Sequence, residues 1–345
     1  MKILMVGLGG VGQRHLRNLR TVFGDDVEII AYRVRRLSSV ITPTLQLNEN
    51  LDVEKEYGVR VFADLDSALA EKPDAAFICN PSSMHVPVAL ACVEAGCDIF
   101  VEKPLSNELV GLPELQAAVE KHGRIVMVGY QLRFHPCFLR MQEILQGGLL
   151  GNLLAVRATV GEYLPNWHRY EDYRTGYAAK ASLGGGVVLS QIHEFDYLYA
   201  LFGEPKRLFS VGGHWSNLEI DVEDIASTLM ECEQDGRPLP VHLQQDYLQR
   251  PVYRQCEVVG DVGKAVLNFP ELSVTWQNFE TCAEELFSRK DFDRNQLFIR
   301  EIEHFVDCVK TRKKPVVDLS EGAKSLRYAL AAKESVATGR LVELS

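Results

Sequence analysis

Short apolar runs alternate with amphipathic stretches from residue 1 to about residue 128. Runs of this kind are typical of strands that are buried on both faces of a parallel sheet. The stretches between them repeat apolar positions every three to four residues, which predicts helices that cover the sheet. Residues 37–58 are polar and irregular and predict a loop with a short helix. The strands are predicted at Ile3–Val6, Val27–Ala31, Val59–Phe62, Ala75–Cys79, Asp98–Val101 and Ile125–Val128. This alternation predicts a doubly wound α/β domain.

The pattern changes after residue 128 to strands with two-residue alternation and few intervening helices, which favours a mostly antiparallel sheet. Strands are predicted at Leu153–Val160, Arg207–Gly212, Ala226–Cys232, Val241–Tyr247, Gln255–Val259 and Ala265–Asn268. Helices are predicted at Phe138–Gln146, Val187–Phe202, Asn295–Thr311 and Glu321–Thr338. We therefore expect two domains, residues 1–128 and residues 129–345, the second of the α+β class.

Composition narrows the class of protein. The chain has 345 residues, 46% of them hydrophobic and 24% charged, as in ordinary globular proteins. Its apolar runs are far shorter than the roughly 20 residues of a membrane span, and a formal net charge of −10 argues against nucleic-acid binding. The eight cysteines include no CxxC pair, which argues against a metal site or a disulfide framework. The chain enters a core strand at once, so a cleaved signal is not expected, and a reducing cytoplasm fits best.

A glycine turn follows the first predicted strand, in the sequence MKILMVGLGGVGQRH. Strand, glycine turn and helix start come in the order that a dinucleotide-binding βαβ unit requires. Gly7 would allow the tight turn, Gly9 a close approach to a pyrophosphate, and Gly12 close packing of helix on strand. The helix N-terminus, with Gly10 and Val11, would offer N–H groups to the anion. The alternative is a glycine-rich loop that serves only to pack one element on another.

The second predicted strand ends in YRVRR at residues 32–36, where an NAD-binding domain normally has an acid for the adenosine ribose. Basic residues such as Arg33 could instead pair with the 2′-phosphate of NADP. A solvated basic turn is the other interpretation, so the cofactor is predicted as NAD or NADP.

Five segments together resemble the Gfo/Idh/MocA family of NAD(P)-dependent oxidoreductases over nearly the whole chain. They are GLGGVGQRH at 7–15, CNPSSMH at 79–85, EKPL at 102–105, GYQLRFHP at 129–136 and GGGVVLSQIHEFD at 184–196. The resemblance implies a Rossmann domain, an open-faced sheet domain and a nicotinamide cofactor held between them. Members act mainly on sugars, cyclitols and sugar nucleotides, and a homodimer or homotetramer is expected by analogy.

The same resemblance implies two catalytic residues. Lys103, in the EKP element, would hold the substrate oxygen and the nicotinamide ribose, and its charge would favour a developing alkoxide. His193 would take part in proton transfer, for which a neutral imidazole is suited. Asp196 lies one helical turn from His193 and could orient the ring or pair elsewhere. Further cofactor-binding positions implied by the resemblance are Asn80, Pro81, Ser82, His85, Glu102 and Gln131, and Arg133 would face nicotinamide or substrate.

The sequence departs from the family at Ser190, where many relatives have aspartate. A serine hydroxyl is not a general base at neutral pH without activation, although it can position a substrate hydroxyl. Either Lys103 and His193 suffice, or Glu194, Glu162 or Asp172 compensates, or hydride chemistry is weak or lost. The last case would make the protein a dinucleotide-binding sensor or partner protein. Another alternative is a sugar eliminase or hydrolase that recycles bound NAD.

The loop at residues 162–181 combines aromatic and basic side chains, which suit stacking on a sugar or uracil and binding of diphosphate oxygens. Tyr163, Trp167 and Tyr173 are the predicted substrate contacts. This loop and residues 247–251 are similar to family members from surface-sugar pathways. An aromatic segment that packs between the domains is the alternative.

Overall fold

The computed structural model describes residues 1–34 and 39–344, so Arg35 and Arg36 of the predicted basic turn lie outside the described residues. The N-terminal elements are, in chain order, β1 (Lys2–Val6), α1 (Gly10–Phe23), β2 (Glu28–Tyr32), β3 (Ser39–Ile41), β4 (Leu47–Asp52), α2 (Val53–Tyr57), β5 (Arg60–Phe62), α3 (Leu65–Leu69), β6 (Ala75–Ile78), α4 (His85–Glu94), β7 (Asp98–Glu102), α5 (Leu112–His122) and β8 (Val126–Gly129). Within the described residues, six of these strands form a parallel sheet in the order β5-β2-β1-β6-β7-β8. The predicted doubly wound domain is confirmed, and its topological switch point lies between β1 and β6, where such sheets bind ligands.

The glycine turn lets α1 pack tightly on the sheet. Gly7 has a φ of +89°, a conformation that favours glycine, and a Cβ added at Gly12 would lie 2.2 Å from the Gly7 carbonyl oxygen. Leu16 and Leu19 are buried on the inner face of the helix. The helix axis therefore begins directly at the carboxyl end of β1.

A small hairpin, β3–β4, replaces the loop that the polar sequence predicted after β2. Gln13 of α1 holds it, because its Nε2 donates to the Ser39 carbonyl at 3.1 Å and its Oε1 accepts from the Ile41 N–H at 2.7 Å. Arg17 also donates to the Ile41 carbonyl at 2.6 Å. Because side chains of another element hold this hairpin, apolar alternation along its own sequence does not reveal it.

The remaining elements are the strands of the second sheet and the helices of the rest of the chain. They are α6 (Pro136–Gln146), β9 (Leu153–Gly161), α7 (Val187–Ser190), α8 (His193–Phe202), β10 (Arg207–Gly213), β11 (Ile225–Gln234), β12 (Arg237–Asp246), β13 (Tyr253–Gly260), β14 (Gly263–Asn268), β15 (Ser273–Asn278), β16 (Glu284–Ser288), α9 (Asn295–Thr311), α10 (Leu319–Thr338) and β17 (Val342–Glu343). In the described chain, nine strands follow the order β16-β15-β14-β13-β9-β12-β11-β10-β17. The β9–β12 pair is parallel and the other neighbours are antiparallel, so the predicted mostly antiparallel sheet is confirmed. The sequence analysis missed β15, β16 and β17.

The prediction of one continuous helix over Val187–Phe202 is wrong. The backbone leaves the helical conformation at Gln191, which has φ −101° and ψ 33°, so the segment divides into α7 and α8. The Gln191 side chain donates to the Asp246 backbone carbonyl at 2.9 Å, and the Gln191 backbone carbonyl accepts from the Gln245 side chain at 3.1 Å. Contacts with β12 therefore fix the break, and the break places Ser190 and His193 on the ends of two different helices.

The C-terminal part of the chain returns to the first sheet. Ile302 and Phe305 of α9 join an apolar cluster with Phe77 and Phe100 of the first sheet. The Val128 N–H donates to the Val317 carbonyl at 2.9 Å. The first sheet ends with β8 at Gly129, and α9, although far along the chain, packs with the N-terminal elements.

Candidate active site

Lys103 connects the two sheets at the carboxyl end of β7. Its Nζ donates to the Ser190 carbonyl oxygen at 2.9 Å, at the end of α7. His193, at the start of α8, is close enough for the Lys103 charge to act on it. Lys103, Ser190 and His193 therefore lie together where the end of β7 meets α7 and α8, a junction here called the crevice.

His193 is buried, with 5% of its surface exposed, and its ring lies edge-on to Tyr130 at a centroid distance of 5.6 Å. Burial lowers the pKa of His193 well below its ordinary value, and the positive charges of Lys103 and Arg254 lower it further. Its Nδ1 has no hydrogen-bond partner among the described residues. The lowered pKa favours the neutral imidazole, and its buried Nδ1 is left unpaired among the described residues.

Ser190 provides no carboxylate beside Lys103 and His193. Its hydroxyl is buried and has no hydrogen-bond partner within residues 1–34 and 39–344, while its carbonyl holds Lys103. The hydroxyl can therefore orient a bound polar group, and the charges that act on His193 are those of the cations Lys103, Arg254 and Arg294.

The carboxylates on α8 are held by arginines. Glu194 accepts from Arg254 Nε at 2.6 Å and from its Nη2 at 2.9 Å. Burial raises the pKa of Glu194, and Arg254 opposes that rise. Asp196 accepts in the same way from Arg133, at 2.7 and 3.0 Å, instead of orienting His193.

Arg133 and Asp172, two residues that the sequence analysis considered for the site, are both held in ion pairs. The Arg133 guanidinium, expected to face nicotinamide or substrate, is bound to Asp196. Asp172, one of the acids that could have compensated for Ser190, is paired with Arg174 on the surface. The negative charge of Glu162, a further acid considered, acts on the guanidinium groups of Arg254 and Arg294.

The glycine turn offers a place for an anion. A Cβ added at Gly9 would meet no atom of the described residues within 4 Å, and Gly9 is also the N-cap of α1. A glycine has no side-chain acceptor, so no capping side chain occupies the N–H groups of the first turn, which includes Gly10 and Val11. Asn80, after β6, has a buried Oδ1 without a hydrogen-bond partner in the described part of the chain. These features fit the pyrophosphate and ribose of a dinucleotide.

Tyr170 extends from the second domain over this turn, and the sequence analysis did not single it out. A Cβ at Gly10 would lie 2.5 Å from its hydroxyl oxygen. Burial raises the pKa of Tyr170. The only hint in the sequence was the aromatic content of the loop at residues 162–181.

The loops after β6 and β7 are joined by His85, whose ring nitrogens lie 2.8 Å from the Asn80 and Pro104 carbonyl oxygens. Next to Pro81, Ser82 donates toward the Leu183 carbonyl at 3.3 Å, which links this loop to the second domain. His85 and Ser82 thus hold the loop that carries Asn80.

The other predicted cofactor residues have defined surroundings. The Glu102 carboxylate contacts His15 Nε2 at 2.6 Å and accepts from the Lys103 N–H at 3.1 Å. Gln131 is buried in a short 3₁₀ turn after β8. Arg33, at the end of β2, is ion-paired with Glu54.

The predicted substrate residues of the long loop are packed against protein groups. The Arg250 guanidinium lies 4.0 Å from the Tyr163 ring centroid. Trp167 meets Tyr247 edge-on at 5.2 Å. The Tyr173 hydroxyl accepts from the Glu219 N–H at 3.3 Å.

The residues that the structure describes lack two kinds of feature. No cluster of three or more histidine, cysteine or carboxylate side chains there could hold a metal ion. No helix in this part of the chain is long and apolar enough to span a bilayer.

Comparison with known proteins identifies the family. The model of the GFO/IDH/MocA oxidoreductase family with an NAD-binding Rossmann fold matches residues 1–130, and that of the GFO/IDH/MocA C-terminal domain matches residues 138–266. The chain is 27% identical to myo-inositol 2-dehydrogenase of Thermotoga maritima, over 100% of this chain and 98% of that protein.

Solved structures share the fold. The myo-inositol 2-dehydrogenase of Lactobacillus plantarum superposes with a TM-score of 0.80 at 22% identity, covering 100% of this chain and 99% of that one. The WlbA dehydrogenase of Bordetella pertussis, in complex with NADH and UDP-GlcNAcA, gives 0.79 at 18% identity, covering 100% and 99%. The chain is an oxidoreductase of the GFO/IDH/MocA family, with an NAD-binding Rossmann domain at its N-terminus.

Proposed function

We propose that the protein is an NAD-dependent dehydrogenase that oxidises a secondary hydroxyl of a sugar or related cyclic polyol, free or nucleotide-linked, or reduces the corresponding ketone. The observation that carries the proposal is that Lys103, Ser190 and His193 meet at the carboxyl end of β7. Bound NAD would supply the hydride acceptor at its nicotinamide ring.

The side chains of the crevice provide the rest of the chemistry. The Lys103 ammonium binds the reacting oxygen and stabilises the negative charge that develops as hydride leaves. The neutral His193 imidazole accepts the hydroxyl proton. The Ser190 hydroxyl orients a neighbouring polar group. Since Glu194 and Asp196 are paired with arginines, the proposal assigns proton transfer to His193 and gives Arg133 a positioning role through Asp196.

The cofactor would lie along the edge formed by the carboxyl ends of β1, β6 and β7. The first turn of α1 would bind the pyrophosphate, Asn80 and Glu102 the riboses, and Gln131 the nicotinamide end. Arg33 already has its charge paired with Glu54, a carboxylate that would repel a 2′-phosphate. We therefore expect a preference for NAD over NADP.

The substrate class is supported by the relatives and by the loop at residues 162–181. The relatives of known name include inositol dehydrogenases, and a neighbour of the same fold is complexed with a UDP-sugar. Tyr163, Trp167 and Tyr173 bring aromatic faces to the loop, with Arg250 stacked on Tyr163. Rings and guanidinium groups of this kind suit both sugar faces and diphosphates.

We further propose a cytoplasmic homo-oligomer that is formed through the uncovered face of the second sheet. Phe209 of β10 and Leu229 of β11 are direct cross-strand neighbours, and both are exposed, as is Val211. Burial of such side chains against a second copy would be favourable. Sedimentation of Leu229→Lys against the unmodified protein tests this assembly.

Turnover with a substrate panel tests the proposed activity. The protein is mixed with NAD or NADP and with free sugars, inositols and UDP-sugars, and NADH absorbance is followed. We expect reduction of NAD with at least one panel member and its loss in Lys103→Ala and His193→Ala, with surface Lys206→Ala as the matched control. Product formation without net NADH, or equal rates in Lys103→Ala and the control, would contradict the proposal.

A further inference from the structure

A completely buried carboxyl group lies behind the Lys103 turn. Glu301 occupies the apolar stripe of α9, next to Ile302 and one turn after Phe298. It is 0% exposed, and neither of its oxygens meets a hydrogen-bond partner among residues 1–34 and 39–344. An ionised carboxylate without a partner is very costly in such a place. Burial, with a further contribution from Glu102, raises the pKa of Glu301 well above its ordinary value.

The second carboxyl of this region, Glu102, has the opposite character. Burial alone would raise its pKa, but the hydrogen bond and charge of His15 and the charge of Lys103 outweigh burial and lower it. Glu102 Oε1 lies 2.6 Å from His15 Nε2, and Oε2 accepts from the Lys103 N–H at 3.1 Å. A carboxylate has about four acceptor positions, so capacity remains for a ligand hydroxyl.

His15 is held rigidly between these groups. It is 0% exposed, and its ring packs edge-on against Phe100 at 5.1 Å and Phe298 at 5.9 Å. Its Nδ1 lacks a hydrogen-bond partner in the described part of the chain. His15, Glu102 and Glu301 therefore form one buried cluster, which joins α1, β7 and α9.

Other titratable groups face the cluster. Cys79 follows β6, and burial together with the two carboxyls raises the pKa of its thiol well above its ordinary value. Asp196 also acts on Glu301, and its own charge is paired with Arg133. Arg14 of α1 is influenced by Glu102 and lies over the Phe298 ring at 4.5 Å. The strongest direct contact in this set is that of His15 with Glu102.

We propose that His15 is a positioning residue that holds the Glu102 carboxylate ionised and aimed at the nicotinamide ribose, while Glu301 carries the proton of the two buried carboxyls. Two neighbouring carboxyls in a buried site share their protons unequally. Here the member with a histidine and a lysine as neighbours keeps the charge. The inference rests on the proposed function, since it needs Glu102 to bind the nicotinamide ribose.

The test compares NADH with ADP, which lacks the nicotinamide riboside. Dissociation constants for both are measured by calorimetry on the whole protein. Glu102→Gln should weaken NADH at least about tenfold, since hydrogen bonds to charged groups contribute on that scale, and should leave ADP unchanged. His15→Phe should do the same, and His15→Gln, which keeps a donor, should recover most of the affinity.

A double-mutant cycle shows whether His15 acts through Glu102. In the Glu102→Gln background, His15→Phe should cause no further loss of NADH affinity. Equal weakening of NADH and ADP by His15→Phe, or an additive loss in the double variant, would overturn the inference. If His15→Phe does not fold, His15→Asn, which is too short to reach Glu102, takes its place. Exposed Glu303→Gln on the same helix is the matched control for α9.

The proton on Glu301 has its own readout. Infrared spectroscopy at neutral pH should show the carbonyl stretch of a protonated carboxylic acid that Glu301→Gln lacks, and absence of this band would overturn the assignment. If Glu102→Gln leaves NADH affinity unchanged, Glu102 does not bind the nicotinamide ribose and the inference fails; the proposed function fails separately if no substrate reduces NAD. If Glu102→Gln weakens NADH and His15→Phe does not, only the present inference fails.

Discussion

The ion pair between Glu194 and Arg254 decides whether an acid on α8 replaces the missing aspartate at position 190. The Glu194 side chain is 0% exposed and that of Arg254 is 17% exposed, and two short hydrogen bonds join them. Removal of one partner of such a pair leaves a buried charge and costs about 3–5 kcal/mol. We expect Arg254→Met to lower the free energy of unfolding by about that amount.

The direction of the pH dependence follows from Glu194. Without Arg254, burial would raise the pKa of Glu194 further in the folded protein. A carboxyl whose folded pKa is raised contributes stability that is present below its unfolded pKa and is lost as pH rises through the folded value. The stability deficit of Arg254→Met should therefore shrink as the pH falls toward about 4.

Urea unfolding and steady-state kinetics on the same variants separate the structural from the catalytic role. We expect Glu194→Gln to be destabilised but to keep kcat per folded molecule within about tenfold, because loss of a general acid–base costs about 10²–10⁴-fold. The double variant Glu194→Leu with Arg254→Met should regain most of the stability lost in Arg254→Met. Wild-type stability of Glu194→Gln with kcat reduced at least about 100-fold would refute this reasoning and make Glu194 the catalytic acid.

Three further predictions concern the crevice, the glycine turn and the cysteines. Because the pKa of His193 lies well below its ordinary value, the kcat/KM profile should show no acidic limb from this residue between about pH 6 and 8. The carboxylate of Ser190→Asp should raise the pKa of His193 and move the acidic limb toward this range. An unchanged pH profile in Ser190→Asp would count against His193 as the base. Gly12→Ala should abolish NADH binding in calorimetry, because its Cβ would lie 2.2 Å from the Gly7 backbone carbonyl oxygen. Gly10→Ala meets only a side-chain atom, the Tyr170 hydroxyl oxygen at 2.5 Å, and should still bind NADH, but more weakly. Equal effects of the two substitutions would contradict the packing. A thiol reagent should modify Cys282 in the native protein, since it is exposed and the seven other cysteines are buried free thiols in the described residues, and the reaction should be lost in Cys282→Ser.

The sequence predicted most of the fold where each element carries its own signal. Apolar runs such as Ala75–Ile78 and the glycine turn at Gly7 indicate their structures locally. The β3–β4 hairpin and the break at Gln191 depend instead on side chains supplied by α1 and β12. Interactions of this kind join residues that are far apart in sequence, and periodicity does not record them.

The candidate site shows the same division. Lys103 and His193 were singled out from motifs, and the structure brings them to one crevice. The pairing of Asp196 with Arg133 could not be predicted, since it joins two elements across the fold. A local signal did exist for Glu301, because a glutamate stands on the otherwise apolar stripe of α9.

Isotope transfer tests the central claim most directly. Wild-type protein and Lys103→Ala are incubated with NAD and with sugars or inositols that carry deuterium on their carbinol carbons, and the NADH is analysed by mass spectrometry. The account predicts deuterium-labelled NADH with the wild-type protein and little or none with Lys103→Ala. Formation of a sugar product without any labelled NADH would contradict hydride transfer as the reaction of this protein.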